Sequence, residues 1–306
     1  MALLGWTLAS CATSPVATEI ERVVDEAVAA PIAEQRFAGV VLVARDGRPL
    51  VRKAYGLADR EQNVAHTPDT PFMIMSVSKQ FTAALIARLA VAGKLRLDDP
   101  VSKYLEPWPE EWKGVEIRHL LAHSSGLDID TTYFWLVEHH PEYWPEADAP
   151  PPYEPRPLVA EPGTKHLYAN VGYTLLSRIA AKAGGRPFDE LVRDEVLRPL
   201  GLTHTVPERN GVRVPGRARG YSRKDTGLVP NEQKTIDIIG AGDLVSTADD
   251  LLRFDTAFDD DRFLPAQIRS EMLAPHVEGA RGASLGYGWF LRTSDGGRAL
   301  QYHSGS

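Results

Sequence analysis

The 306-residue chain has a single cysteine, Cys11, so no disulfide can form within it and packing and hydrogen bonds must hold the fold. It also lacks any run approaching the roughly 20 consecutive apolar residues that a membrane-spanning helix requires. Positive charge is short, with 34 Lys and Arg against 41 Asp and Glu and a net charge of -7. The basic residues are scattered, with no stripe that could follow a phosphate backbone, and nucleic acid is not an expected partner. Metal-ligand spacing is missing too. His139 and His140 are adjacent, neighbouring side chains diverge on a helix or strand, and no third ligand follows them. No metal or cofactor is therefore expected. What the chain does have is 43% hydrophobic and 25% charged content. That is enough for a sizeable core in one large domain or two interlocked lobes.

The N-terminal "LLGWTLASCATS" is a short apolar run closing on small residues. It resembles a secretion signal, and Leu8-Ala9-Ser10-Cys11 resembles the lipobox of bacterial lipoproteins, whose cysteine is lipidated after cleavage. The match departs in one respect: no Lys or Arg precedes Arg22, so the positive flank is missing. Residues 1–16 are read as a signal-like or lipoprotein tail with Cys11 as lipid attachment site. This places the protein in the bacterial cell envelope, periplasmic and membrane-attached through that lipid, or in the cytoplasm if the tail is not a signal.

Beyond the tail, helical and strand-like patterns alternate. Ile20, Val23, Val24, Ala27, Val28 and Ile32 recur at helical spacing between Thr18 and Phe37. Two β-branched runs, Val40 to Arg45 and Leu50 to Tyr55, flank Asp46-Gly47, a hairpin signal. A long apolar helix follows Ser76 and ends near Gly93; further helices are expected at Ile117–Ala122, Tyr173–Ala183 and Phe188–Val196. A second hairpin is expected around Asp295-Gly296-Gly297. Strands at both ends with helices between predict an α+β fold with one antiparallel sheet flanked by helices and a helical insertion. The segment His139 to Gly163, rich in proline, reads as a stiff surface loop, because proline removes backbone donors and fixes φ.

The chemistry is concentrated in "MSVSKQFTAAL". Ser76 and Lys79, one helical turn apart, share a face about 5–6 Å apart at Cβ, within reach of a nucleophile–base contact. A helix N-terminus also favours the negative charge of an oxyanion formed at the serine. An S-x-x-K match alone has a high false-positive rate, and an N-cap serine beside a solvated lysine is its ordinary explanation. The companions change the balance. Tyr168-Ala169-Asn170 matches a Y-x-N element and His303-Ser304-Gly305 a K/H-x-G element, in the order in which serine β-lactamases and penicillin-binding proteins carry them. "IRHLLAHSSGL", "GAGDLVSTADDLLRF" and "LGYGWF" add to the likeness. From about Val40 onward the chain resembles the class C β-lactamase-related, penicillin-binding-protein-like serine hydrolases.

That resemblance implies a β-lactamase/transpeptidase-like α+β fold with a mostly helical second lobe over residues 17–306. It implies further strands and a closing helix after the third motif, so the chain is expected to be a C-terminally truncated member. It implies Ser76 as nucleophile, Lys79 or Tyr168 as general base, and Asn170, His303, Ser304 and Gly305 as substrate-binding residues. The backbone N–H groups of Ser76 and Ser306 would form the oxyanion hole. The sequence leaves the choice of base open, since a desolvated amine and a stabilised phenolate are equally reasonable. His119 and His123 are read as structural. Asp243, where the family commonly has glycine, is expected to bring negative charge near the cleft. The implied reaction is acyl-enzyme hydrolysis of small or peptide-like amides or esters, of D-Ala carboxypeptidase, D-aminopeptidase or esterase type with at most weak β-lactamase activity, by a monomer. Histidine in the third motif, mostly neutral at pH 7, is a poorer carboxylate partner than lysine. The competing class is a non-catalytic penicillin-binding-like receptor or envelope protein, against which the joint retention of Ser76, Lys79, Tyr168 and Asn170 argues.

Overall fold

The computed structural model describes residues 15–128, 132, 135–136, 138–139, 156–208, 213–225, 227–231 and 239–306. Cys11, His140 and positions 141–155 of the proline-rich segment lie outside them. The chain divides into two units, Met1–Thr70 and Pro71–Ser306.

In the first unit the helical spacing becomes α1 (Pro15–Ala33), which stops short of Phe37 as Gln35 enters the left-handed region at φ 52°. β1 (Gly39–Arg45) and β2 (Arg48–Tyr55) form the expected hairpin, from Gly39 opposite Tyr55 to Arg45 opposite Arg48. Asp46 and Gly47 take φ of 51° and 70°, the left-handed pair that a tight hairpin turn matching the strand twist requires. Lys53 Nζ donates to Glu21 and Asp25 at 2.9 and 2.8 Å, and the Tyr55 hydroxyl donates to Asp25 at 2.6 Å, tying α1 to β2. β3 (Leu57–Asp59) and β4 (Val64–Ala65) pair beyond it.

The second unit is organised around one helix. β5 (Phe72–Met73) leads through a 3-10 turn, Met75–Val77, into α2 (Ser78–Val91). Ser76 thus lies in the tighter turn ahead of the α-helix. Eleven of the fourteen residues of α2 are buried, Ser78 to Ala87 and Leu89, so the helix is enclosed on almost every side. α3 (Ile117–Leu121) is short, and its start is closed by a capping box between Glu116 and His119. α4 (Asn170–Gly184) packs on both α2 and α3 and ends on Gly185 at φ 70°. α5 (Phe188–Val192) follows and continues into a π-helical turn to Leu197.

The remaining strands are short and antiparallel. β6 (Val206–Pro207) pairs with one edge of β9 (Leu244–Ser246) and β5 with the other, while β7 (Tyr221–Lys224) and β8 (Gly227–Pro230) form a separate hairpin. α6 (Ala248–Thr256) and α7 (Ala266–Met272) lead to β10 (Val277–Glu278), β11 (Ser284–Leu285), β12 (Phe290–Thr293) and β13 (Ala299–Tyr302), which form one sheet in that order. The expected second hairpin is the β12–β13 pair. The α+β class holds. The strands are divided among several ladders where the sequence suggested one sheet, because most runs are only two to four residues long and pair with whichever short partner the helices bring alongside. Among the described residues no helix is long and apolar enough to cross a membrane.

Phe81, on α2, is fully buried and stacks on Phe254 of α6 with ring centroids 4.1 Å apart. Truncating it should leave a cavity that the surrounding helices cannot close. Phe81→Ala is expected to lower stability by about 3–5 kcal/mol, measured as the shift of the urea unfolding midpoint at constant slope.

Candidate active site

Three backbone devices hold Ser76. β5 pairs with β9, the Ile74 N–H donates to Leu244 O at 2.9 Å, and the Leu244 N–H donates to Ser78 Oγ at 3.1 Å, which pins both sides of the serine to one strand. Met75, immediately before it, adopts φ 48°. A left-handed conformation at a non-glycine residue is costly and persists only where its surroundings over-determine it. The effect is to turn the chain sharply and leave Ser76 half-buried at the head of α2.

Lys79 has no exposed surface. Its Nζ lies 3.0 Å from Ser76 Oγ and 2.7 Å from the carbonyl oxygen of Ala241. Burial disfavours the ammonium and brings the pKa from its ordinary 10.5 down to about 7, while the charge of Asp243 opposes that shift. A neutral amine can donate to Ala241 O while its lone pair accepts the Ser76 hydroxyl proton. The Ala241 carbonyl is fixed by its neighbours: the Gly240 N–H donates to Asp243 Oδ1 at 2.9 Å and the Thr82 hydroxyl to Gly240 O at 2.7 Å. Gly240 is at φ 77°, where a side chain is strained, and an added Cβ would lie a tight 3.0 Å from Ser177 Cβ and 3.1 Å from Tyr173 O. Asp243 is only 2% exposed. Its carboxylate accepts within this turn and is buried, so the negative charge expected near the cleft reaches Lys79 from inside the fold.

Tyr168 joins the pair from the segment before α4. Its ring lies 5.0 Å from Lys79 Nζ. Burial raises its pKa and a hydrogen bond with Ser76 acts in the opposite direction, so the tyrosine is a phenol at neutral pH. With the lysine depressed and the phenol raised, the two candidates the sequence leaves equal are shifted in opposite directions. Asn170, the first residue of α4, is exposed, and the Lys79 hydrogen bonds go to Ser76 and Ala241.

The third motif runs past the Ser76 turn. A Cβ added at Gly305 would stand 2.2 Å from Ile74 O and 3.0 Å from Met75 Cβ, so only glycine permits this approach. Ser304, Gly305 and Ser306 are exposed. His303 is half-buried, and its Nδ1 lies 2.7 Å from Ser304 O. Desolvation, aided by Lys79, pushes its pKa to about 4, so the imidazole is neutral. His119 is the third residue of α3, and its Nδ1 accepts from the N–H of the N-cap residue Glu116 at 3.1 Å. His123, for which the sequence suggests no more than packing, has its ring stacked on Tyr168 at 4.3 Å, and no signal in the sequence ties it to that residue. Among the described residues no group of three or more His, Cys, Asp or Glu is placed to hold a metal ion. A cavity of about 690 Å³ beside the end of α4 contains none of these residues; its Lys182 sits where helix carbonyls attract cations.

The profile of the Beta-lactamase family matches residues 20–306. Teichoic acid D-alanine hydrolase of Staphylococcus aureus is 28% identical over 238 residues, which is 78% of this chain and 58% of that protein. The octameric penicillin-binding protein homologue from Pyrococcus abyssi is 26% identical, with a TM-score of 0.78, covering 96% of this chain and 68% of that one. The D-amino acid amidase from Ochrobactrum anthropi SV3, in complex with L-phenylalanine, is 25% identical with a TM-score of 0.70, covering 96% of this chain and 84% of that one. The chain spans about three fifths of the length of the curated relatives it matches, 61%, 63% and 58% for the first three.

A buried lysine that is neutral when folded and charged when unfolded destabilises the protein in a pH-dependent way. Between pH 7 and 10.5 the unfolded chain holds a proton that the folded one has released, so stability from this group rises with pH across that window; below 7 the penalty is at its full size. Lys79→Met should therefore be more stable than wild type at pH 6–7, with the gap closing by pH 10. Urea midpoints of the two proteins across that range measure it, and a gap independent of pH would contradict the neutral buried amine.

Proposed function

Because the chain belongs to the Beta-lactamase family, we propose that it is a serine hydrolase acting through an acyl-enzyme on peptide-like amides or esters. The observation that carries the reading is the buried Lys79 Nζ 3.0 Å from Ser76 Oγ with its pKa brought to about 7. A lysine so placed lowers stability, and the penalty has a use only where an amine must take a proton at neutral pH.

In the proposed reaction, Lys79 removes the Ser76 proton as Oγ attacks the carbonyl carbon of the substrate. The N–H groups of Ser76 and Ser306 would receive the oxyanion, a role supported for Ser306 by the close approach of its neighbour Gly305 to Ile74 and Met75. The ammonium formed on Lys79 is held by the Ala241 carbonyl and by the charge of Asp243. Tyr168, hydrogen-bonded to Ser76, passes a proton to the leaving amine or alcohol and regains one from Lys79. In deacylation a water attacks the ester, yields its proton along the same path, and Ser76 recovers its own. Asn170 and the exposed edge from His303 to Gly305 bind the substrate.

Neutral His303 supplies no permanent cation for a substrate carboxylate, which favours uncharged ester or amide groups at that end of the cleft over efficient β-lactam turnover. The similarity to a teichoic acid D-alanine hydrolase supports a small D-aminoacyl group as the acyl part and a place in the cell envelope; Cys11 as lipid anchor rests on the lipobox-like sequence Leu8-Ala9-Ser10-Cys11 alone.

Fluorophosphonate labelling should modify Ser76 in the wild type and leave Ser76→Ala unlabelled with an unchanged circular dichroism spectrum; labelling of both at equal rate would overturn the assignment. The rate of acylation by an activated acetate ester should rise with pH along a limb centred near 7, the position set by Lys79. A limb above pH 10 would move the base to Tyr168.

A further inference from the structure

Tyr168 has no helix or strand of its own. It lies in the irregular stretch just before α4, and its ring must nonetheless be held within a fraction of an ångström to transfer a proton. The residues on either side of it are both gripped by one amino acid. The Leu167 N–H donates to the His123 carbonyl oxygen at 2.8 Å, and the Ala169 N–H donates to His123 Nδ1 at 3.2 Å. Between these two bonds the His123 ring lies against the Tyr168 ring, centroids 4.3 Å apart and planes at 29°. The imidazole also meets Tyr173 of α4 at 5.0 Å, and the Tyr173 hydroxyl is anchored on Leu121 O at 2.8 Å.

His123 itself is held firmly. It is 5% exposed and takes φ 52° at the end of α3, a conformation that histidine tolerates better than most residues but still at some cost. The same face of the chain continues the grip: Gly163 N–H donates to Ser124 O at 2.7 Å and Val159 N–H to Gly126 O at 2.8 Å. Because Nδ1 accepts a hydrogen bond, the proton of the neutral ring is on Nε2. Burial, with Lys79, His166 and His303 nearby, keeps the ring in that neutral form. A side chain serving only to fill the core would need no acceptor aimed at a neighbour of Tyr168, and the His123 ring nitrogen provides one.

We propose that His123 is a positioning residue, whose backbone carbonyl and ring nitrogen clamp the two residues flanking Tyr168 and whose ring face sets the angle of the phenol toward Ser76 and Lys79. The proposal rests on the proton-transfer role of Tyr168 given above. Two variants remove one grip each. His123→Phe keeps a ring under Tyr168 and loses the acceptor for Ala169. His123→Asn keeps an acceptor at the δ position, suits the left-handed backbone, and loses the stack. Misplacing a reacting group by about 1 Å costs on the order of 10² in rate. Each variant should lower kcat for an ester substrate by about 10- to 100-fold while KM moves by less than about threefold, with Asn the milder.

The deciding measurement is a double-mutant cycle with Tyr168→Phe. If His123 acts through Tyr168, adding either His123 substitution to Tyr168→Phe produces no further loss. Losses that multiply, or wild-type kcat in a folded His123→Phe protein, would overturn the proposal. Should His123→Phe fail to fold, the cycle with His123→Asn decides by the same two outcomes. Unchanged turnover in Tyr168→Phe alone would remove the role of Tyr168 instead, so the two failures are distinguishable.

Discussion

The site depends on one amine kept out of water. Lys79 Nζ sits between Ser76 Oγ and the Ala241 carbonyl with no exposed surface, and the rest of the second unit is arranged to make that possible. Enclosing α2 on nearly all sides supplies the desolvation. The turn from Gly240 to Asp243 supplies the Ala241 carbonyl that accepts from Nζ, and Thr82 and Ser78, both on α2, bond that turn and the strand after it. Helix and turn thus fix each other across 158 to 166 residues of sequence. Loosening either would admit water, and the lysine would return to an ordinary protonated state.

The balance is set by two opposed effects. Desolvation lowers the pKa of Lys79 and the buried charge of Asp243 opposes it, leaving the pKa at about 7. A carboxylate at this position therefore bears on proton affinity from inside the fold. In the sequence Asp243 is visible only as a departure from a glycine pattern, which suggests a charge facing substrate. Its orientation is decided by a hydrogen bond to the Gly240 N–H, a contact within a turn that neither periodicity nor composition encodes.

That contrast recurs across the structure. Ser76 and Lys79 are legible because their spacing is local and a helix converts it directly into proximity. The two hairpins are legible for the same reason, with Asp46-Gly47 and Asp295-Gly296-Gly297 specifying turns that need only their own backbone. Tyr168 and the His303 to Gly305 motif emerge through resemblance, and the close approach of Gly305 to Ile74 gives that resemblance a steric basis. Ala241 as the lysine's acceptor and His123 as the partner of Tyr168 are not legible. Both act through contacts between distant segments, and a buried histidine looks the same in sequence whether it packs a core or holds a neighbour in place. The short strands β5, β6 and β9 escape for a further reason: two or three residues carry no period to read.

The groups nearest the serine share one property: before reaction, each is uncharged at neutral pH or close to it. Tyr168 is raised, His303 and His123 are lowered, and Lys79 is poised at the boundary. On the proposed mechanism, transfer of the Ser76 proton to Lys79 then creates an ammonium and an oxyanion together. Two such charges about 4 Å apart attract by about 4 kcal/mol at an effective dielectric constant of about 20, against about 1 in water. This attraction is absent from the reactive form of the ground state, in which Lys79 is neutral and no oxyanion has formed. An environment hostile to each separate charge is far less hostile to the pair, so the burial that depresses Lys79 also makes the site complementary to the transition state in preference to a charged substrate.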